Sequence, residues 1–152
     1  MNNNMTQEEQ KELLLKDLCS RLPYGVKCKT LTKDINGNDI VYEDKEELTI
    51  YRVRRLGNEY MTIIPYLFPL SSMTEEQANE LFDLFGISIL DSIGGDYIKI
   101  NECTGITFFL NKGFDVETHL DKLMNWLHKN NFDYRGLIPM GLAIDATGLN
   151  IY

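Results

Sequence analysis

Three cysteines and two histidines are all the thiol and imidazole ligands that the 152 residues contain. Cys19, Cys28 and Cys103 lie far apart, with no Cys-x-x-Cys pair and no cysteine/histidine spacing of a zinc site. An odd thiol count beside a start (Met-Asn-Asn-Asn-Met-Thr-Gln) that lacks a signal peptide's basic and apolar regions predicts reduced, mostly buried cysteines and a cytoplasmic protein. No apolar run approaches the roughly 18 residues that span a bilayer, so no membrane partner is expected. Positive charge is scarce: 15 Lys and Arg against 23 Asp and Glu leave a formal net charge of -8. That balance argues against nucleic acid or an anionic surface as a general partner. Neither a Gly-x-Ser-x-Gly elbow nor a phosphate-cradling loop with its lysine occurs, and no cofactor is expected.

What remains is ordinary globular composition, 43% hydrophobic and 25% charged. A single α+β domain over 1–152 is expected, with a flexible leader at 1–5 and a tail at 144–152. Thr6 with Glu9 three residues on is a capping box for a helix running to about Arg21. Its apolar side is read as Leu14, Leu15, Leu18, Cys19 and Leu22, and Pro23 is expected to push Leu22 out of helical dihedrals. The period then shifts towards two. It predicts strands near 25–32, 39–43, 47–55 and 59–64, with turns at Asn36-Gly37 and Gly57-Asn58. Pro65 and Pro69 are read as ending the sheet. Thr74 and Gln77 form a second capping box, opening a helix with Ala78, Leu81, Phe82 and Phe85 on its stripe and Gly86 as its stop. Tyr97–Asn101 and 106–111 read as a hairpin about Gly105. Asp115 caps a third helix through about Lys129, striped by Val116, Leu120, Leu123, Met124 and Leu127 and ended by Asn130-Asn131. Residues 134–140 suggest a helical turn. Together these predict an antiparallel meander of about four to six strands packed against about three helices.

Few residues carry legible chemistry. His119 and His128 are nine positions apart on one helix, about 900 degrees of rotation, so they cannot share a ligand; each is read as an edge or surface residue. Cys19 is read as an inert buried thiol. Asp91, Asp96 and Glu102 bracket Gly94-Gly95, and only tertiary convergence would turn them into an acid pair. Lys27 with Lys29, and Arg52 with Arg54, alternate along expected strands; beside Tyr51 and Tyr60 they would form either a basic patch or a solvated sheet face. Trp126, Phe132, Asp133, Tyr134 and Arg135 rank first as binding candidates, flat rings with an ionic handle. The alternative is structural: Phe132 and Leu137 fasten the tail to the core, with Arg135 paired to Asp133 or capping carbonyls of the preceding helix.

Three blocks add a resemblance: Leu15-Lys-Asp-Leu-Cys-Ser-Arg-Leu-Pro-Tyr-Gly-Val26, Pro65-Tyr-Leu-Phe-Pro-Leu-Ser-Ser-Met-Thr-Glu-Glu76 and Trp126-Leu-His-Lys-Asn-Asn-Phe-Asp-Tyr-Arg-Gly-Leu-Ile138. In this order they resemble a group of uncharacterised small proteins of gut Bacteroidales bacteria and their prophages or mobile elements. The resemblance implies an intracellular bacterial or phage setting and carries no activity, so it assigns no residue a role. With no catalytic or metal residue assigned, the expected function is a non-enzymatic protein-binding or adaptor module. The alternatives are a small hydrolase or nuclease using Asp91 and Asp96, and an acidic mimic of nucleic acid. The mimic would need Glu43, Asp44, Glu46, Glu47, Glu75, Glu76, Glu80 and Asp83 in one stripe.

Overall fold

The computed structural model describes residues 5–56, 60–85, 97–101, 105–109 and 116–152, with residues 82, 85, 97–101, 105–109 and 116–119 described as backbone. Its helices are α1 (Gln7–Arg21), α2 (Ile50–Val53), α3 (Glu75–Phe85) and α4 (Val116–Lys129). Its strands are β1 (Lys27–Lys33), β2 (Asp39–Glu47), β3 (Met61–Pro69), β4 (Tyr97–Asn101), β5 (Gly105–Phe109), β6 (Phe132–Asp133) and β7 (Ile144–Asp145). The α+β class is what the chain adopts. The chain divides into two compact units, Met1–Leu67 with Gly136–Tyr152, and Phe68–Arg135.

In the first unit α1 starts as its sequence requires. The Thr6 hydroxyl accepts from the Glu9 N–H at 3.3 Å, and the Glu9 carboxylate accepts from the Thr6 N–H at 2.7 Å. The Thr6 N–H, followed by the Thr6 hydroxyl donating at 3.0 Å, holds the exposed Glu9 carboxyl below its usual range. The buried face is not the expected one: Leu14 and Leu18 point inward together with Asp17 and Arg21, while Leu15 and Cys19 are exposed. Burial of the two charges is made tolerable by fork-to-fork geometry. Arg21 Nε lies 2.6 Å from Asp17 Oδ2 and Nη2 lies 3.1 Å from Oδ1, with both side chains fully buried. Leu22 also departs from expectation. It stays helical at φ -51° and ψ -42°, because Leu22–Tyr24 form one tight 3-10 turn that Pro23 opens without losing a needed donor. Gly25 then reverses the chain at φ +67°.

β1 lies between β2 and β3 and is antiparallel to both, so β3 returns beside β1 instead of beside its sequence neighbour. Two irregularities, between Cys28/Thr30 and Thr30/Leu31 in the β1 register, put extra β2 residues against β1, and Lys45 sits at φ +58° within the first. The inward residues Cys28, Thr30, Ile63, Pro65 and Leu67 alternate as paired strands demand. Cys28, Ile63 and Leu67 join Leu14, Leu18, Val26, Leu48, Val53, Leu137 and Ala143 in this unit's core.

Two predicted boundaries are overturned. Residues 47–55 are not a strand: β2 ends at Glu47, and Ile50–Val53 make a helical turn that buries Val53. Pro65 does not end the sheet but lies inside β3. Lys33 N–H donates to Tyr60 C=O at 3.2 Å, so the even-numbered residues of β3 bond towards β1. The missing N–H of Pro65 therefore faces the other edge, and no β1–β3 ladder bond is lost. On that other edge Ala146 N–H donates to Leu67 C=O at 2.8 Å, and β7 runs parallel to β3. The segment read as a tail is thus a structural part of the unit, with Ala146 and Ile151 buried. Residues 134–140 form a bend and successive turns, not a helix.

In the second unit the Thr74–Gln77 box forms as expected, with Gln77 N–H donating to Thr74 Oγ1 at 3.2 Å and Thr74 N–H to Gln77 Oε1 at 3.0 Å. β4 and β5 make the expected hairpin, pairing Asn101 with Gly105. Leu70, Leu81, Leu123, Trp126, Leu127 and Phe132 form this unit's core. Leu120, assigned to the apolar stripe of α4, is exposed. At the helix end Asn131 takes φ +56°, where asparagine is tolerated, and its carbonyl accepts from Phe68 N–H at 2.9 Å. That contact starts a short parallel pairing of β3 with β6, Phe68 opposite Phe132 and Pro69 opposite Asp133.

Candidate functional site

The five residues ranked first by sequence lie at the C-terminal end of α4 and in the two steps after it. Trp126 and Phe132 stack, their ring centroids 5.5 Å apart and their planes 16° from parallel. Only 5% of Trp126 and 1% of Phe132 is exposed, so the pair fills the core of the second unit. Asp133 is buried one step further along β6. Tyr134 is half-buried and is held at two places. Its hydroxyl lies 2.8 Å from His128 Nε2, and the Arg135 guanidinium carbon sits 4.8 Å from its ring centroid.

His128 is therefore a buried residue with a phenol partner, not the edge or surface residue expected. The helical repeat explains the approach: His128 is in the last turn of α4, and the Asn130-Asn131 turn brings Tyr134 back beside it. Asn130 strengthens that turn through its side-chain amide, which donates to Trp126 C=O at 3.0 Å. Chemically the set offers one hydroxyl, one imidazole and one guanidinium packed on one another. Among the described residues no group of three or more His, Cys, Asp or Glu could hold a metal ion.

The other sequence candidates separate. Lys27 and Lys29 share a strand face as expected. Arg52 and Arg54 do not join them by strand alternation, since Arg52 is in the helical turn α2 and Arg54 caps it. Arg52 reaches back to β2, with Nη2 2.6 Å from Glu43 Oε2 and Nη1 donating to Glu47 C=O. The Tyr66 hydroxyl donates to Asp44 Oδ1, and burial followed by that hydrogen bond pushes the phenol up to about 12. Glu43 and Asp44, two carboxylates of the supposed acidic stripe, are thereby engaged within the unit. Cys19 is an exposed thiol, whereas burial pushes the Cys28 thiol up to about 12. Asp91, Gly94, Gly95, Asp96, Glu102 and Cys103 lie outside the described residues, as does the side chain of His119.

One group of exposed apolar side chains was only partly legible in the sequence. Seven exposed large hydrophobic residues, Ile35, Ile40, Val41, Tyr42, Ile50, Tyr51 and Tyr60, fall between positions 35 and 60. Six of them follow the β1–β2 hairpin tip, β2 and the helical turn after it, and Tyr60 immediately precedes β3. The tip itself is tightly ordered: Asp34 Oδ1 accepts from the N–H groups of Asn36 and Asn38, each at 2.8 Å, and Oδ2 accepts from Asn38 Nδ2 at 3.1 Å. These bonds hold the Asp34 carboxyl below its usual range. Ile35, one step along, is fully exposed. The sequence hints were an isoleucine inside a polar turn and the tyrosines Tyr51 and Tyr60 beside the basic residues.

Comparison with family models, curated proteins and solved structures finds no match. Among the described residues no helix is long and apolar enough to cross a membrane.

Proposed function

We propose that this protein is a non-enzymatic protein-binding module and that the β2 side of its first unit is the contact surface. The observation that supports this is the concentration of exposed apolar and aromatic side chains on an ordered hairpin and edge strand. Val41 and Tyr42 are 55% and 60% exposed in a strand that, among the described residues, has a neighbour on one edge only. Aromatic and aliphatic groups displayed together on an ordered frame supply contact area with little ordering cost. The Trp126 to Arg135 segment is then a structural closure of the second unit. The intracellular setting, and an origin in a phage or mobile element, are proposed on the sequence resemblance alone.

The test is site-specific photo-cross-linking in a Bacteroidales host, with the cross-linking side chain placed at Tyr42, at Ile35 and, as a control, at Leu149. A discrete adduct from Tyr42 and Ile35, absent from Leu149, is expected. It should disappear when Val41 is changed to Ser at unchanged circular dichroism. No adduct from either hairpin position would overturn the reading.

A further inference from the structure

We propose that residues 148–152 are a displaceable clasp: the Tyr152 hydroxyl holds one step of the β1–β3 ladder open, and that step closes by a direct bond from Lys27 N–H to Tyr66 C=O when the segment leaves. The inference lies within the first unit and does not depend on the contact surface proposed above. Strand alternation sets what the step would be by itself. Lys33 N–H donates to Tyr60 C=O at 3.2 Å, so Leu31 with Thr62 and Lys29 with Ile64, at successive two-residue intervals, are the hydrogen-bonded pairs of the ladder. The next such pair is Lys27 with Tyr66. The register of partners stops one residue short of it, at Cys28 opposite Pro65.

A side chain occupies the place of the missing bond. Lys27 N–H donates to the Tyr152 hydroxyl oxygen at 2.9 Å, and that hydroxyl donates to Tyr66 C=O at 2.8 Å. One backbone bond spans about 2.9 Å, so two bonds in series at ordinary hydroxyl angles hold donor and acceptor further apart than the ladder would. Burial pushes the Tyr152 phenol up, which keeps on its oxygen the proton that Tyr66 accepts. The chain after β7 delivers the hydroxyl. Thr147 N–H donates to Asp145 Oδ1 at 2.8 Å and Leu149 N–H to Ala146 C=O at 3.1 Å, and positive φ at Gly148 (+74°) and Asn150 (+46°) turns the segment back to β1. Ile151 is buried as its anchor, while the Tyr152 ring is half exposed.

Two arrangements therefore satisfy the same backbone groups, and this is what makes the segment displaceable. When a bridging side chain leaves a buried site, the groups that it served ordinarily lose their partner. Here they face each other across an interrupted ladder and bond directly, while the hydroxyl passes to water. Burial of Ile151 favours the clasped arrangement, so anything that captures residues 151–152 favours the closed ladder. Lys27 also lies opposite Glu47, the last residue of β2, and its movement is passed to that strand.

Nuclear magnetic resonance of the full chain tests the clasp through the scalar coupling that crosses a hydrogen bond from amide nitrogen to carbonyl carbon. Wild type is expected to show no coupling between Lys27 and Tyr66. Tyr152→Ala should show it, with Lys27 amide exchange within about twofold of wild type. Tyr152→Phe keeps the ring seated but removes its oxygen, so the Lys27 amide should exchange about tenfold faster, without the coupling. Ile151→Ser keeps the hydroxyl and weakens its anchor, and should move the Lys27 amide signal from its wild-type position towards that of Tyr152→Ala. A Lys27–Tyr66 coupling in wild type would overturn the interposed hydroxyl. If Tyr152→Ala lacks the coupling and exchanges as fast as Tyr152→Phe, or loses its fold by circular dichroism, displacement is overturned and the hydroxyl is a fixed structural bridge. An Ile151→Ser signal that stays in place or moves elsewhere overturns it equally.

Discussion

Replacing Asp17 with alanine removes the carboxylate that balances a fully buried Arg21, and a loss of about 3–5 kcal/mol is expected. Urea denaturation checks it. The double change Asp17→Leu with Arg21→Met should recover most of that loss, because an apolar pair of similar volume has no charge to desolvate. A second residue acts through one oxygen. Continuing the β1–β3 register by one step sets Lys27 opposite Tyr66, and the Tyr152 hydroxyl lies between their backbones, accepting from Lys27 N–H at 2.9 Å and donating to Tyr66 C=O at 2.8 Å. Tyr152→Phe should therefore reduce stability by about 0.5–1.5 kcal/mol, since two backbone groups lose a shared partner. In the second unit Tyr134→Phe removes the bond to His128, and a similar loss of about 0.5–1.5 kcal/mol is expected from urea midpoints.

At the scale of elements, capping boxes and hairpins were legible because each is set by residues three or four apart. Thr6 with Glu9 and Thr74 with Gln77 satisfy their own backbone donors whatever packs above them. Strand edges and helix faces were less legible. The period-two pattern of 47–55 yields to a helical turn that lets Val53 reach the core and Arg52 return to Glu43. Pro65 stays inside β3 because its edge has no bond to lose, and sequence does not reveal which edge a residue faces. The hairpin offers a test of element rigidity. Gly37 sits at φ +82° with open space around it, so Gly37→Ala meets strain alone, about 1–2 kcal/mol. Faster hydrogen exchange at the Asn36 and Asn38 amides, with β3 unchanged, is the expected signature.

Across the whole molecule the clearest condition dependence is alkaline. The Cys28 thiol is raised from 9.0 and the Tyr66 phenol from 10.0, both to about 12, chiefly by burial, and the Tyr152 phenol is raised in the same direction. Each group holds its proton more tightly folded than unfolded. Their contribution is therefore complete below about pH 9 and declines as pH rises towards 12, with a slope approaching about 1.4 kcal/mol per pH unit for each group. Urea midpoints measured from pH 8 to 11 should fall, and Cys28→Ala should fall less steeply over that range. The sequence by itself determined the α+β class, the helix starts, the β4–β5 hairpin and the net charge, all of which depend on composition or on neighbours a few residues apart. Tertiary structure alone decided that Asp17 and Arg21 turn inward, that Trp126 and Phe132 are core while Tyr134 leans on His128, and that β2 pairs on one edge only among the described residues. Those outcomes depend on which distant backbone supplies or withholds a partner, and no local pattern of residues encodes that.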